Sequence, residues 1–185
     1  MLGDYSEEEL SKNDIVVYLH ASAAYQLLHA AVELGIFELL HQKSTMALEE
    51  IAKRLKLKTS AARTLLFGLT AMRLIRKSNE TYENSKPIQD MFLHNEFKLF
   101  RSMVGIQAHI MYIGQTDFVD SLKKDTNVGV NRVPGKGKTI YKKLANNLKL
   151  RKIFYDYMEA YSDYANPHLL EKVDFNFGRI GAPPL

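Results

Sequence analysis

The sequence predicts a mainly α-helical chain with one small β-hairpin. Apolar residues recur at helical spacing along most of its 185 residues. One short stretch alternates instead between apolar and polar residues on either side of a turn. Strands alternating with helices, which would indicate a parallel sheet, occur nowhere in the sequence. The expected fold is therefore helical, with the hairpin as a minor element.

The composition is that of a globular protein and excludes several kinds of site. Hydrophobic residues make up 46% of the chain, charged residues 25%, and the formal net charge is +4. A dedicated nucleic-acid binder usually concentrates a larger positive excess on one face. Cysteine is absent, which excludes disulfides, thiolate metal sites and cysteine nucleophiles. No two of the six histidines lie three or four residues apart, and no cluster of carboxylates accompanies one at ligand spacing, so no metal site is predicted.

The beginning of the chain predicts a loose end followed by a long helix. Residues 1–12 are acidic and polar and are expected to be flexible. Either Ser11 or Asn13 is expected to cap the helix, which runs to about Leu34 and ends at Gly35. A secretory signal does not open the chain, so the expected location is the cytoplasm.

This first helix needs more burial than one small domain can provide. Residues 15–32 contain no Asp, Glu, Lys or Arg, and their number approaches the roughly 20 residues of a membrane span. The polar residues of the helix form one narrow stripe, which is poor material for a lipid-facing helix. A second copy of the chain could cover the remaining apolar surface, so an intertwined homodimer and no membrane span are expected. The stripe consists of Ser22, Gln26, His29 and Glu33.

Residues 46–84 predict a helix-turn-helix followed by a hairpin, the arrangement of a winged helix. Residues 46–55 are expected to form the first helix and residues 60–72 the second, with the letters KLK as the turn. The segment LIRKSNETYENS fits a hairpin with Asn79 and Glu80 at its tip. Pro87 is expected to open a further helix.

The second helix of this region is not typical of a helix that reads DNA. Its inward face is predicted to carry Ala62, Leu65, Leu66, Leu69 and Met72, and its outward face Ser60, Arg63, Thr64, Phe67 and Ala71. Base edges are normally read by Arg, Lys, Asn or Gln, and Arg63 alone qualifies. Phe67 on the outward face favours contact with protein. A DNA-binding regulator remains the alternative, because one fold serves several functions.

The rest of the chain predicts long helices around one loop. Helix is expected from Glu96 with a break at Gly114, and again after the loop, with Pro167 at the start of its last segment. The letters GKGKT in the loop imitate a phosphate-binding motif, but Arg132 stands where that motif requires glycine and no buried strand precedes it. A loop that leads into a helix is therefore expected.

Two features of these later helices leave alternatives open. His109 lies in an apolar helix, where a satisfied, half-buried histidine is the preferred interpretation and a proton-transfer group the other. A series at helical spacing forms either ordinary core or the adaptable apolar wall of a pocket for a flat aromatic ligand. The series comprises Leu150, Phe154, Tyr157, Met158, Tyr161 and Tyr164.

The order of these elements resembles the S-adenosylmethionine-dependent O-methyltransferases of the plant caffeate and bacterial polyketide type. AAVELGIFELL is similar to the first-helix signature of that family, residues 46–93 to its winged helix, and residues 137–175 to the segment leading into its cofactor domain. The resemblance covers residues 14–175. It implies a dimerisation domain at 13–93, a helical linker and substrate-capping region at 94–175, and a tail at 176–185 where the cofactor domain would begin.

The resemblance also implies a function and a set of pocket residues. The winged helix of the family pairs subunits and does not read DNA, and the parent enzyme transfers a methyl group from S-adenosylmethionine to a hydroxyl of a small, usually aromatic molecule. Phe154 and Met158 keep the residue types of the family, whereas Leu144 replaces a polar residue of a plant relative. His20 would reach the pocket of the partner subunit. The pocket candidates are Ile140, Leu144, Leu150, Phe154, Met158, Met111 and His109.

The sequence departs from the family at its end. After EKVDF the family continues into a strand and a glycine-rich cofactor loop, whereas this chain reads NFGRIGAPPL. Gly178 and Gly181 do not make the cofactor fingerprint, and the paired prolines 183–184 oppose a following helix. The sequence therefore predicts the front part of such an enzyme, with no catalytic, cofactor-binding or metal residue and no activity of its own. A stand-alone dimerisation module is a further alternative.

Overall fold

The computed structural model describes residues 11–172, which divide into two compact units between His94 and Asn95. The expected loose end before Ser11 and the predictions for Gly178 and Gly181 lie outside these residues. The first unit contains, in chain order, α1 (Lys12–Leu34), α2 (Ile36–Lys43), β1 (Met46–Ala47), α3 (Leu48–Arg54), α4 (Thr59–Ala71), β2 (Ile75–Ser78), β3 (Thr81–Asn84) and α5 (Lys86–Leu93).

Both predicted ends of α1 are confirmed. Ser11 caps the helix: its hydroxyl oxygen accepts from the Asp14 N–H at 3.3 Å. In return, the main-chain N–H and the hydroxyl of Ser11 donate to the Asp14 carboxylate at 2.8 and 2.7 Å. These hydrogen bonds, with that from the Ser11 hydroxyl the largest cause, lower the pKa of Asp14. Gly35 ends the helix with a φ of 71°, and its N–H donates to carbonyls of the last turn. This left-handed conformation suits glycine because it carries no Cβ.

The predicted hairpin is confirmed, and it carries a third strand that the sequence did not reveal. Strands β2 and β3 pair antiparallel, with Asn79 at the tip in the left-handed conformation. The prediction of helix from Met46 is wrong, because Met46 pairs with Tyr82 and Ala47 with Thr81 before α3 begins at Leu48. That pairing joins residues far apart in sequence, which local periodicity cannot report.

The core of the first unit forms around α4. Four of the residues predicted to point inward are buried, Met72 is half-buried, and the whole predicted outer face is exposed. Asn84 is a buried polar residue in this core, and its side-chain amide donates to the Phe37 carbonyl at 2.8 Å. Pro87 lies in the first turn of α5, as predicted. The buried α4 residues are Ala62, Leu65, Leu66 and Leu69.

The described part of the second unit consists of helices and connecting loops, without a strand. Its elements are α6 (Phe97–Ile106), a π-helical segment (Gln107–Met111), α7 (Tyr112–Gln115), α8 (Phe118–Lys123), a 3₁₀ turn (Val128–Arg132), α9 (Ile140–Ala145) and α10 (Leu148–Lys172).

Two predicted helix boundaries in this unit are wrong. The helical run passes through Gly114 and is interrupted only after Gln115. Helix α10 continues through Pro167, which lies inside it. Pro167 is exposed, so water can hydrate the carbonyl that proline leaves without its helical donor, and the helix need not end there. The break falls instead between α9 and α10, where the Asn147 side chain accepts from the N–H of Leu150 at 3.1 Å.

Candidate self-association surface and substrate pocket

The first half of α1 has no cover within its own unit. Every residue from Ser11 to Ala23 is exposed; half-buried residues begin at Ala24, and full burial is reached only at Ala31 and Val32. Residues 15–19 are five consecutive apolar or aromatic residues that are 51% to 74% exposed, and we call them the α1 surface. Five consecutive helical positions extend around the whole circumference, so this segment presents apolar side chains in every direction. A patch of this kind marks a surface for contact with another apolar surface.

Within residues 11–172, α1 is the one helix long and apolar enough to cross a membrane by length and composition. Core helices of soluble proteins share this length and composition. The predicted polar stripe is present on the helix, with Ser22, Gln26 and Glu33 exposed. His29 is half-buried, and its Nε2 lies 3.6 Å from a Glu33 carboxylate oxygen.

His20, predicted to reach a partner subunit, is exposed on α1. Its Nδ1 donates to the Val16 carbonyl at 2.9 Å, one turn back along the helix. Its predicted role in a second pocket stays a prediction.

The second half of α1 packs closely on α4. A Cβ added to Gly68 would lie 2.7 Å from Cδ1 of Leu27, so the absence of a side chain at Gly68 allows the approach. On the opposite face of α4, Phe67 is 76% exposed and Arg63 is the one basic residue of that face. The outer face of α4 therefore offers an aromatic ring rather than a row of base-reading side chains.

Four of the predicted pocket residues come together in the second unit. Val133, Leu144 and Leu150 are buried, and four half-buried residues pack against them; we call this group the apolar cluster. Ile140 and Phe154 belong to it as half-buried members, so they lie at its accessible margin while Leu144 and Leu150 form its floor. The half-buried members are Ile110, Ile140, Ile153 and Phe154.

The other predicted pocket residues lie outside this cluster. Met111 is 50% exposed and Met158 43% exposed. His109 is half-buried in the π-helical segment. Phe154 makes an edge-to-face contact with Tyr141, whose ring centroid lies 6.3 Å away at an angle of 81°. The two aromatic rings thus extend the margin of the cluster with a geometry that aromatic pairs favour.

Sequence reasoning missed three members of the cluster. Ile153 lies three residues after Leu150 on the same helix, and that spacing could have identified it. Ile110 could not be placed, because it lies in the π-helical segment, where the helix widens and the residues turn away from the α-helical register. Val133 precedes a proline in the loop, and no local pattern predicts its burial.

Two contacts hold the elements before α9 together. Gly129 of the 3₁₀ turn lies directly against Gly114 of α7, and a Cβ on Gly129 would overlap the Gly114 carbonyl group. Arg132 makes a two-pronged ion pair with Asp117, at 2.8 and 2.9 Å. The hydrogen bond from Arg132 lowers the pKa of Asp117. Arg132, which breaks the phosphate-binding motif, thus fixes the 3₁₀ turn to the start of α8.

The glycines of the described chain do not form a cradle for a nucleotide-like cofactor. Such a cradle needs a glycine-rich turn between a β-strand and a helix. In residues 11–172, the glycines with positive φ are Gly35, which joins two helices, and Gly135 and Gly137, which follow a 3₁₀ turn.

Comparison with known proteins identifies the first unit. Residues 16–93 match the O-methyltransferase dimerisation domain. The chain is 34% identical over 158 residues to the L-tyrosine C(3)-methyltransferase of Streptomyces lavendulae, covering 85% of this chain and 43% of that protein.

Solved structures of methyltransferases are also similar to this chain. The S-adenosylmethionine-dependent methyltransferase SibL in its apo form is 36% identical, with a TM-score of 0.81 over 89% of this chain and 48% of that one. Human N-acetylserotonin methyltransferase in complex with SAM has a TM-score of 0.76 at 17% identity, over 91% of this chain and 50% of that one, and shows the shared fold. Residues 16–93 thus belong to the O-methyltransferase dimerisation domain family, and the chain is a relative of S-adenosylmethionine-dependent methyltransferases that spans about half their length.

Proposed function

We propose that this chain is the dimerisation and substrate-pocket part of an S-adenosylmethionine-dependent methyltransferase that acts on a small aromatic molecule. One observation carries the proposal: the residues that match the dimerisation domain include four of the five residues of the exposed α1 surface. A protein that exposes five consecutive apolar residues on a helix needs an apolar partner for them.

The partner in this proposal is a second copy of the chain. Two α1 surfaces brought together would remove apolar side chains from water on both subunits, and such burial stabilises association. An intertwined contact that also includes Phe67 would exceed the size of a transient interface, at roughly 2,000 Å² or more in total. In this arrangement α3, α4 and the hairpin serve as a winged helix that pairs subunits. The proposed location of the dimer is the cytoplasm.

A purified sample tests self-association directly. Sedimentation equilibrium over a concentration series should give the mass of a dimer. Flotation with neutral lipid vesicles tests the competing use of α1, and we expect the protein to remain in the lower, lipid-free fractions. Co-flotation of the folded protein would support membrane binding through the α1 surface instead.

The proposed substrate site is the apolar cluster of the second unit. Its buried floor and half-buried aromatic margin suit the face of an aromatic ring, because such pockets are mostly apolar and hold flat ligands by area and ring contacts. Part of a pocket buries only part of a ligand, so the affinity of this chain should be low.

The proposed methyl acceptor is a phenol. Two kinds of atom in a phenol can accept the methyl group. A phenol that has lost its proton is nucleophilic at its oxygen and at the neighbouring ring carbons. The resemblance of the sequence to O-methyltransferases favours the hydroxyl, whereas the relative at 34% identity is named for methylation at carbon 3 of L-tyrosine. The two products differ in the number of ring hydrogens, so proton NMR of the product made by the parent enzyme separates them.

Methyl groups in the cluster provide the binding test. With ¹³C-labelled Ile and Leu methyl groups, titration with L-tyrosine should shift the Ile140 and Leu144 signals in a saturable manner. The Ile51 signal, from the core of the other unit, is the internal control and should not move. Shifts at Ile51 alone, or at no methyl group up to the solubility limit, would contradict the proposed site.

We propose in addition that residues 1–185 alone neither bind S-adenosylmethionine nor methylate phenols. The support is the position of the described glycines, none of which follows a strand into a helix. Calorimetric titration with S-adenosylmethionine should give no saturable heat. Saturable binding in the micromolar range would show a cofactor site that this argument has missed.

The second candidate function is DNA binding, favoured by the helix-turn-helix order of α3 and α4. Electrostatic binding to DNA weakens steeply with salt. Tight, salt-sensitive and sequence-selective gel shifts that Arg63→Ala abolishes would establish it in place of the first proposal. We expect weak, non-selective binding or none.

A further inference from the structure

The loop that leads into α9 is bound to that helix rather than free. Its first residue, Val133, is buried, whereas the following five residues are exposed. It returns to the helix at Thr139, whose hydroxyl accepts from the N–H of Lys142 at 3.3 Å. The loop thus leaves the apolar cluster at one end and caps α9 at the other.

Lys143 of α9 is the buried residue that holds this loop. Its side chain is almost fully enclosed, with 5% of its surface exposed. Its ammonium donates to the Val133 carbonyl at 2.7 Å and to the Gly135 carbonyl at 3.1 Å. The sequence contains no Asp or Glu from residue 126 to residue 155, so carbonyl oxygens take the place that a carboxylate usually fills. Losing them would leave a buried charge with poorer partners, which is strongly unfavourable.

The loop backbone also lies directly on the helix. Gly135 has a φ of 120°, and a Cβ there would lie 2.7 Å from the main-chain oxygen of Lys143. Gly137 has a φ of 118°, and a Cβ there would overlap that of Lys142. Both positions therefore require glycine for two reasons: the positive φ, and the close approach of the loop backbone to α9. The GKGKT stretch, which imitates a phosphate-binding motif, serves here to bring the loop against α9.

These contacts connect Lys143 to the candidate pocket. Val133 accepts from Lys143 through its main chain while its side chain packs with Leu144 and Leu150 in the apolar cluster. We propose that Lys143 is a positioning residue, which fixes Val133 as one wall of the cluster and so sets the shape of the surface that an aromatic ligand contacts. The part of this proposal that names an aromatic ligand rests on the proposed function. The part that assigns the fixing of the loop to Lys143 does not depend on it.

Limited proteolysis measures the fixing of the loop. Lys136 and Lys138 are exposed trypsin sites in the loop, and cleavage there needs the loop to leave the helix. Lys143→Met removes the ammonium and keeps a long apolar side chain, and it should raise the cleavage rate at both sites roughly tenfold. Lys142→Met is the matched control, because Lys142 is exposed on the same helix and its ammonium makes no hydrogen bond or ion pair with the described residues; it should cleave at the wild-type rate.

A second variant disturbs the same contact by a substitution in the loop. Gly135→Ala leaves Lys143 intact and forces the loop away from the helix by the added Cβ. It should release the loop to the same extent, and the double variant should cleave no faster than either single one, because both act on one contact. Equal rates for Lys143→Met and Lys142→Met, or additive effects in the double variant, would overturn the proposal. Gly135→Ala also gives a result if Lys143→Met fails to fold.

The effect of Lys143 on ligand binding is measured separately. In the L-tyrosine titration, Lys143→Met should weaken the binding detected at Leu144 at least threefold, and Lys142→Met should leave it unchanged. If the wild-type protein binds no aromatic probe but the proteolysis result holds, the proposed pocket fails and the positioning of Val133 stands. If binding is unchanged although the loop is released, Lys143 does not shape the ligand surface.

Discussion

Truncation of Leu19 tests the α1 surface with a predictable magnitude. Leu19 is 74% exposed in the single chain, so Leu19→Ala removes no core contact and should leave the folding of one subunit nearly unchanged. Burying a leucine side chain is worth about 1.5–3 kcal/mol. Truncation to alanine should remove roughly 1.5 kcal/mol of this burial free energy from each subunit. A symmetric contact counts the change twice, which gives about 3 kcal/mol, or about a 100-fold rise in the dimer dissociation constant.

Sedimentation equilibrium of wild type and variant over a concentration series measures this change. Gln26→Ala is the matched control, because Gln26 lies on the exposed polar stripe of the same helix and its truncation should not alter the dissociation constant. Circular dichroism should show the same helix content for all three proteins. A change of less than about threefold for Leu19→Ala, or a wild-type chain that stays monomeric at roughly 100 µM, would refute the reasoning.

Three further predictions concern the stability of the two units. Asn84→Ala should lower the free energy of unfolding by about 1–3 kcal/mol in denaturant titration, because it removes a buried hydrogen bond to a main-chain carbonyl; an unchanged midpoint would contradict this. Gly129→Ala should cost about 1–3 kcal/mol by overpacking a backbone contact. Gly105→Ala, whose Cβ would meet only an ordinary contact at 3.9 Å, is its control and should be neutral or stabilising. Asp117→Asn should lower the melting temperature at pH 7 and leave it unchanged at low pH. Arg132 holds the pKa of Asp117 below its ordinary 3.8, so the stabilisation is present above that value and is lost as the pH falls through the lowered pKa. A difference that is the same at both pH values would show that the ion pair is not its cause.

The sequence by itself determined the local elements of this protein. The cap at Ser11, the left-handed glycine at position 35, the hairpin tip at Asn79 and the two faces of α4 all follow from residue types within a few positions of one another. Such features depend on local backbone preferences and on periodicity, which the chain carries in its order of residues. The order of elements was likewise enough to indicate the methyltransferase dimerisation domain.

The tertiary structure decided the contacts between distant residues. The pairing of Met46 with Tyr82, the π-helical segment that carries Ile110, and the burial of Val133 have no local signature. Lys143 is the clearest case. In the sequence it lies among other lysines, and such a pattern predicts a solvated side chain; its burial depends on the two loop carbonyls that the fold brings to its ammonium. Hydrogen bonds and packing of this kind form between parts of the chain that only the fold brings together, so residue order alone could not assign them.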